Sequence, residues 1–149
     1  MITTKTENKY FEWLSAEEMH KDSKKWLSEL RFVKDEHLFF QDLITSYTLQ
    51  IIDFEDFSDT KEIIDALNRS QKKNNELIED VLTHEKDLEI MVDGIDDVKK
   101  EKQYKKLHRQ LLTSVSEYLY DYKKVKTQLF DILKDVMKKV KQQRLLDNR

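Results

Sequence analysis

The chain of 149 residues contains no cysteine, no proline and a single glycine. The absence of cysteine excludes disulfide bonds, thiolate zinc sites and cysteine nucleophiles. Glycine-rich phosphate-binding loops and nucleophile elbows need more than one glycine, so these motifs are excluded as well. Because sharp turns commonly use glycine or proline, few such turns are expected. The composition therefore favours an all-helical domain without a loop-built active site.

Long uncharged segments are also missing. No apolar run approaches the 18 residues that a membrane span requires, and residues 1–5 lack the apolar region of a secretory signal. We therefore expect a cytoplasmic protein that does not enter a membrane. Charge is plentiful but uneven: residues 1–98 hold 12 Lys and Arg against 24 Asp and Glu, whereas residues 99–149 hold 15 against 6. A basic helix packed against acidic helices explains this division.

Apolar residues recur at alternating steps of three and four, which is typical of amphipathic helices. The pattern predicts helices over 16–52, 59–93 and 96–145 in one domain, 15–149, after a flexible segment, 1–14. The two short connections predict an elongated antiparallel bundle of three long helices with coiled-coil-like packing. The seam of the first helix comprises Met19, Trp26, Leu30, Val33, His37, Phe40, Ile44, Tyr47 and Ile51, with Ser23 filling a gap.

A capping box marks the start of the first helix. The Ser15 hydroxyl can accept a hydrogen bond from the amide of Glu18, and the Glu18 side chain can return one. Leu14 and Met19 occupy the two positions of a hydrophobic staple, which fixes how the chain enters a helix. This is the strongest local signal in the sequence.

Capping residues mark the two ends of the second helix. Ser58 or Asp59 is expected to cap its start, and Gly94 is expected to end it in the left-handed conformation that glycine favours. Residues 68–75 are poor in apolar residues and in strong helix formers. A break there would convert the three-helix bundle into a four-helix one.

Two sets of apolar residues lie outside the seams. Helix 1 carries a second stripe made of Phe32, Phe39 and Leu43, and helix 3 is expected to extend beyond its neighbours over about 130–145. That extension carries Phe130, Leu133, Val136, Met137 and Val140. An apolar stripe without an intramolecular partner requires another partner. Either the third helix of the bundle or a second subunit could bury these residues, so they are candidate contacts, and a homodimer is favoured.

The histidines are the residues most suggestive of chemistry. His84, Glu85 and His108 fall in or beside the predicted seams of helices 2 and 3, where they could form a mononuclear iron, manganese or zinc site. Since His84 and Glu85 are adjacent, they point about 100° apart on a helix and could share one ion only with difficulty. Glu17 and His20 form the sole Glu-x-x-His motif, and they are expected to lie near the end of the bundle, far from His84 and His108. The alternative is that these residues are hydrogen-bonded core groups that fix the register of the helices.

A second polar set is expected in the middle of the bundle. His37, Ser70 and Asn74 fall on the inner faces of helices 1 and 2, and a simple antiparallel register places His37 level with Asn74. Such a layer could line a ligand pocket, or it could set the register with a buried water.

The sequence thus predicts a non-enzymatic protein-interaction or assembly module that acts through helical surfaces and needs no cofactor. The first alternative is the metal-binding bundle described above. The second is a nucleic-acid-binding protein that uses the basic third helix through Lys99, Lys102, Lys106 and Arg109. The acidic helices nearby argue against this second alternative, because they would repel a polyanion.

Overall fold

The structure, a computed structural model, describes residues 14–53, 57–93 and 98–147. Of these residues 97% are helical and none forms a strand. The helices are α1 (Ala16–Ser46), α2 (Thr48–Ile52), α3 (Phe57–Asp93) and α4 (Val98–Asp147). Because α3 packs against both α1 and α4, the predicted all-α bundle is confirmed. In the part of the chain that the structure describes, no helix is both long and apolar enough to cross a membrane.

Contacts divide the chain into two compact units. Unit 1 comprises the described residues through Arg31 together with Asn75–Tyr118. Unit 2 comprises Phe32–Asn74 together with the described residues from Leu119 onward. Each unit therefore contains part of α1, part of α3 and part of α4.

The predicted cap of α1 is present. The Glu18 amide donates to the Ser15 hydroxyl oxygen at 3.1 Å, and α1 begins at Ala16, directly after this residue. Leu14 and Met19 are both buried in one apolar cluster of unit 1, together with Leu88 and Tyr104. The hydroxyl of Ser15 therefore satisfies one of the amides that the first helical turn leaves without a partner.

Replacing Ser15 with alanine should lower the free energy of unfolding by about 1 kcal/mol, because the Glu18 amide then loses its acceptor. Urea denaturation followed by circular dichroism measures this loss. Ser28→Ala is the matched control, since Ser28 is exposed within α1 and its replacement by a better helix former should cost nothing. Equal losses in the two variants would contradict the capping assignment.

The first predicted helix is interrupted at Tyr47, so the prediction of one helix over 16–52 is wrong in this detail. The Thr48 hydroxyl donates to the carbonyl oxygens of Ile44 and Thr45, and Thr45 donates to that of Gln41. Tyr47 has φ −111° and ψ 22°, outside the dihedral angles of an α-helix, although its amide still donates to the Leu43 carbonyl oxygen. A fourth helix therefore arises at this point.

By contrast, α3 runs without a break through 68–75, and the predicted alternative of a broken second helix is wrong. Leu67, Asn74 and Leu77 are each buried on its inner face, so packing outweighs the poor helix propensity of this stretch. The predicted start is also wrong, since α3 begins at Phe57 and includes Ser58 and Asp59. The predicted stop at Gly94 and nearly all of segment 1–14 lie outside the described residues.

Side-chain contacts give the directions of the helices. Asp22 bonds His108 and Glu36 bonds Tyr122, so α1 residues contact α4 residues 86 positions later, and these helices are parallel. His20 of α1 bonds Glu85 of α3, whereas the later His37 bonds the earlier Ser70, so α3 is antiparallel to α1. The sequence pattern predicted a register for the α1–α3 and α3–α4 pairs, but none for the parallel contact between α1 and α4.

The predicted seams form the interior of both units. The core of unit 2 consists of Phe40, Ile44, Ile51, Leu67, Leu129, Leu133 and Val136. The expectation that the apolar residues of α4 beyond residue 130 lack an intramolecular partner is therefore wrong for Leu133 and Val136. The parallel contact with α1 and α2 covers them, because Ile51 belongs to the same cluster.

Candidate functional site

A hydrogen-bonded histidine pair lies in unit 1. The Nε2 atom of His84 is 2.9 Å from Nδ1 of His108, and Nε2 of His108 is 3.0 Å from Oδ2 of Asp22. His84 and His108 are 4% and 0% exposed. Three helices therefore contribute to one chain of hydrogen bonds: Asp22 from α1, His108 from α4 and His84 from α3.

Aromatic rings hold this pair in place. The His84 ring stacks on the Tyr104 ring with centroids 4.0 Å apart and planes within 4° of each other. The Tyr104 hydroxyl donates to the backbone carbonyl oxygen of His84, and the Trp26 ring lies 4.7 Å from His108. Burial, with the carboxylates of Glu85 and Asp87, raises the pKa of the Tyr104 hydroxyl above its usual value, so it remains a donor.

The hydrogen-bond chain from Asp22 through His108 to His84 determines the tautomer of each imidazole when both are neutral. The Asp22 carboxylate only accepts, so Nε2–H of His108 donates to it and Nδ1 of His108 is left as an acceptor. Nε2–H of His84 then donates to that Nδ1. The remaining ring nitrogen of His84 is therefore an acceptor, and the side chain borders a groove of about 350 Å³.

The basicity of His84 argues against its use as a catalytic base. Burial, followed by the neighbouring His108, lowers the pKa of the His84 imidazole to about 4. A general base is most effective when its pKa lies near the working pH. At neutral pH His84 accepts a proton too weakly for this task, and its geometry suits a buried polar group that fixes how α3 and α4 align.

The three predicted metal ligands are separated by the structure. His84 and His108 are joined as expected, but the Glu85 Oε2 atom contacts Nδ1 of His20. Within the described residues no three His, Asp or Glu side chains are placed to hold a metal ion. The expectation that His20 lies far from His84 and His108 is wrong, because His20 contacts Glu85, the residue next to His84 in the chain.

The predicted polar layer lies in unit 2. The Nε2 atom of His37 is 3.1 Å from the Ser70 hydroxyl oxygen, one turn away from the predicted level of Asn74. The Tyr122 ring meets His37 edge to face at 5.0 Å, and Asn74 is fully buried. Burial lowers the pKa of His37, although the carboxylate of Glu36 partly offsets this effect. His37 is therefore a second core histidine that burial keeps in its neutral form.

The candidate contact residues divide into surface and core. Phe32, Phe39, Phe130 and Met137 are 63%, 59%, 57% and 42% exposed. Leu43 and Val140 are half-buried, and Leu43 packs against the core of unit 2. Leu133 is 2% exposed and belongs to that core, so the prediction that it contacts a partner is wrong.

The exposed residues of α1 and α4 meet along one surface of unit 2. Phe32 and Phe39 are seven residues apart and so share a helix face, as do Phe130 and Met137. Glu36 forms an ion pair with Lys126, so this side of α1 adjoins this side of α4. We call the surface made of Phe32, Phe39, Leu43, Phe130 and Met137 the apolar face.

The relative level of the two helices places the stripe of α4 beyond that of α1 along the apolar face. Since α1 residues contact α4 residues 86 positions later, Leu43 lies level with the turn of α4 that carries Phe130. The half-buried Leu43 thus lies where the two stripes meet. The sequence pattern contained each stripe separately, and the parallel contact of α1 with α4 brings them together.

Asp22 is the functional-site residue that the sequence pattern did not reveal. It lies beside the seam position Ser23, at the edge of the inner face of α1. Asp22 contacts His108 of α4, so finding it would have required knowing that α1 and α4 pack in parallel and in which register.

No protein-family model, curated protein or solved structure matches this chain.

Proposed function

We propose that this protein is a non-enzymatic interaction module in which the apolar face of unit 2 binds a second copy of the chain. The observation that carries the proposal is the exposure of four large side chains on the side of unit 2 where α1 adjoins α4: Phe32, Phe39, Phe130 and Met137. Exposed apolar groups gathered in this way typically mark a protein–protein contact. Aromatic and methionine side chains are also enriched in the centres of such contacts.

A second copy is the partner that the charges around the face favour. The α1 edge of the face carries the exposed acidic residues Asp35 and Asp42, and the α4 edge carries the exposed basic residues Lys123, Lys134 and Lys141. A surface with one acidic edge and one basic edge is complementary to itself. Unit 2 therefore provides an apolar centre and opposite charges that another unit 2 can match.

The polar sites support a non-enzymatic function. The bonds from His84 and His108 are made within the core of unit 1, and the pKa of His84 lies far below neutral pH. Buried polar networks of this kind act in many helical proteins to set alignment. We propose the same task for the Asp22–His108–His84 chain, which would keep the helices aligned while unit 2 binds its partner.

Sedimentation velocity tests the proposal with the Phe39→Glu variant. The natural chain should dimerise at concentrations up to about 100 μM, and a charge placed in the centre of the apolar face should raise the dissociation constant at least about tenfold. Ile90→Glu is the matched control, because Ile90 is 71% exposed, against 59% for Phe39, but lies in unit 1.

The expected result is a dimer for the natural chain and for Ile90→Glu, and a monomer for Phe39→Glu. Circular dichroism shows whether each variant keeps its helical fold. A natural chain that stays monomeric over the whole concentration range would overturn the proposal, as would a Phe39→Glu variant that dimerises as tightly as the control.

A further inference from the structure

The two charged edges of the apolar face lie on opposite sides of it. Viewed down the axis of α1, Glu36 and Asp35 lie on opposite sides of Phe39, because they precede it by three and four residues. Glu36 is on the side that faces α4, since it pairs with Lys126. Asp42 lies three residues after Phe39, on the same side as Asp35. The acidic edge is therefore the side of α1 that is turned away from α4.

The basic edge is placed by the same reasoning. Phe130 lies four residues after Lys126, which faces α1, and four residues before Lys134. Successive steps of four advance about 40° around a helix, so Lys134 lies on the side of Phe130 that is turned away from α1. Lys123 and Lys141 are seven residues from Phe130 and Lys134 respectively, and they extend this row.

We infer that two copies of the chain pair through the apolar face with their α1 helices parallel, about a two-fold axis that runs along the helices. This inference rests on the proposed function, since it specifies how that dimer is arranged. Rotation about such an axis places the basic edge of each copy against the acidic edge of the other. The complementary contact is then formed twice, as the symmetry of an isologous dimer requires.

The antiparallel arrangement is disfavoured by the same charges. A two-fold axis perpendicular to the helices would place acidic edge against acidic edge and basic edge against basic edge. Like charges across an interface select against that arrangement. Exposed ion pairs contribute little affinity, so the apolar side chains hold the copies together and the edges determine their direction.

The levels of the charged residues fit the parallel arrangement. With the offset of 86 positions seen between Glu36 and Tyr122, Asp35 lies within about one helical turn of Lys123 along the helix axis. A two-fold axis along the helices leaves these levels unchanged. Lys123 of one copy therefore meets Asp35 of the other without a shift between them.

Disulfide cross-linking tests the arrangement, because the natural chain contains no cysteine. Phe32→Cys and Met137→Cys place single thiols near opposite ends of the apolar face. In the parallel dimer each variant should form a disulfide with itself on mild oxidation. In an antiparallel dimer neither would do so alone, and a mixture of the two variants would give only the mixed disulfide.

Each outcome separates the arrangement from the proposed function. Self-linking of both variants supports the parallel dimer. A disulfide formed only in the mixture, or a sedimenting dimer in which neither variant cross-links, overturns the parallel arrangement and leaves the proposed dimer standing. A natural chain that sediments as a monomer overturns the proposed function itself.

Charge reversal provides a second measurement that leaves the apolar side chains intact. Lys123→Asp and Asp35→Lys should each weaken the dimer about threefold to tenfold, and the double variant should regain most of the lost affinity. Lys24→Asp is the control, since Lys24 is exposed on α1 within unit 1. If the double variant is weaker than both single variants, the acidic and basic edges do not meet and the arrangement is wrong.

Discussion

Lowering the pH from 6.5 to 4 should reduce the free energy of unfolding by about 3 kcal/mol through His84 alone. The pKa of His84 is about 4 in the folded chain and near 6.5 when the chain is unfolded. Between these values the unfolded state binds a proton that the folded state does not. The stabilisation from neutral His84 is thus complete above pH 6.5 and is lost as the pH falls towards 4.

The surroundings of His84 explain why the folded state rejects this proton. His108 and Tyr104 face it from α4, and Asp22 reaches the pair from α1 only through His108. Glu85 lies beside His84 in sequence, but its carboxylate bonds His20 instead. Burial is the largest cause of the lowered pKa, and among the residues that the structure describes no carboxylate bonds the imidazole directly to stabilise its charged form.

Urea denaturation at a series of pH values measures this effect. The experiment is best done in the Phe39→Glu background, so that dimer dissociation does not contribute to the measured stability. His84→Gln removes the titrating group and keeps an N–H donor for His108, so its stability should vary less between pH 6.5 and 4. His20→Gln is the control, because His20 is more exposed. Parallel pH curves for the parent and His84→Gln would contradict the predicted linkage.

Replacing Leu133 with alanine should lower the free energy of unfolding by about 2–5 kcal/mol. Leu133 is 2% exposed and packs in the core of unit 2 beside Leu129 and Val136. Truncation removes buried apolar surface and leaves a cavity that the neighbouring helices fill only in part. Chemical denaturation of the monomeric Phe39→Glu background gives the loss directly.

Met137→Ala is the matched comparison on the same helix. Met137 is 42% exposed, so its truncation should change the free energy of unfolding by less than about 0.5 kcal/mol while weakening the dimer. Leu133→Ala and Met137→Ala thus distinguish a core residue from a contact residue only four positions away. Similar losses of stability in both variants would contradict the division between core and apolar face.

The inner faces of the helices were predictable from the sequence. Met19, Leu30 and Phe40 of the first seam are all buried, and fully buried Ser23 fills the gap as expected. The predicted register of the two helices, with Tyr104 level with Glu85, was also nearly right, because the Tyr104 hydroxyl bonds the backbone carbonyl of the adjacent His84. These features follow from helical periodicity and from the short connection between α3 and α4, both of which are local properties of the chain.

The register of α1 against α3 was predicted less accurately. His37 was expected to be level with Asn74 and instead bonds Ser70, about one turn away. The connection between α1 and α3 contains α2 and the break at Tyr47, which a straight helix followed by a short loop does not represent. The break lies at Tyr47, which is itself a position of the predicted seam, so the apolar pattern carries no sign of it.

The sequence by itself determined the helical class, the inner face of each helix and the cap at Ser15, because each depends on residues within a few positions of one another. Only the tertiary structure decided that α1 lies parallel to α4. That contact joins Asp22 to His108, moves Leu133 from the expected surface to the core and unites the two stripes of the apolar face. Periodicity shows which side of a helix is buried, but the choice of neighbour and the shift along it depend on how side chains from distant parts of the chain pack.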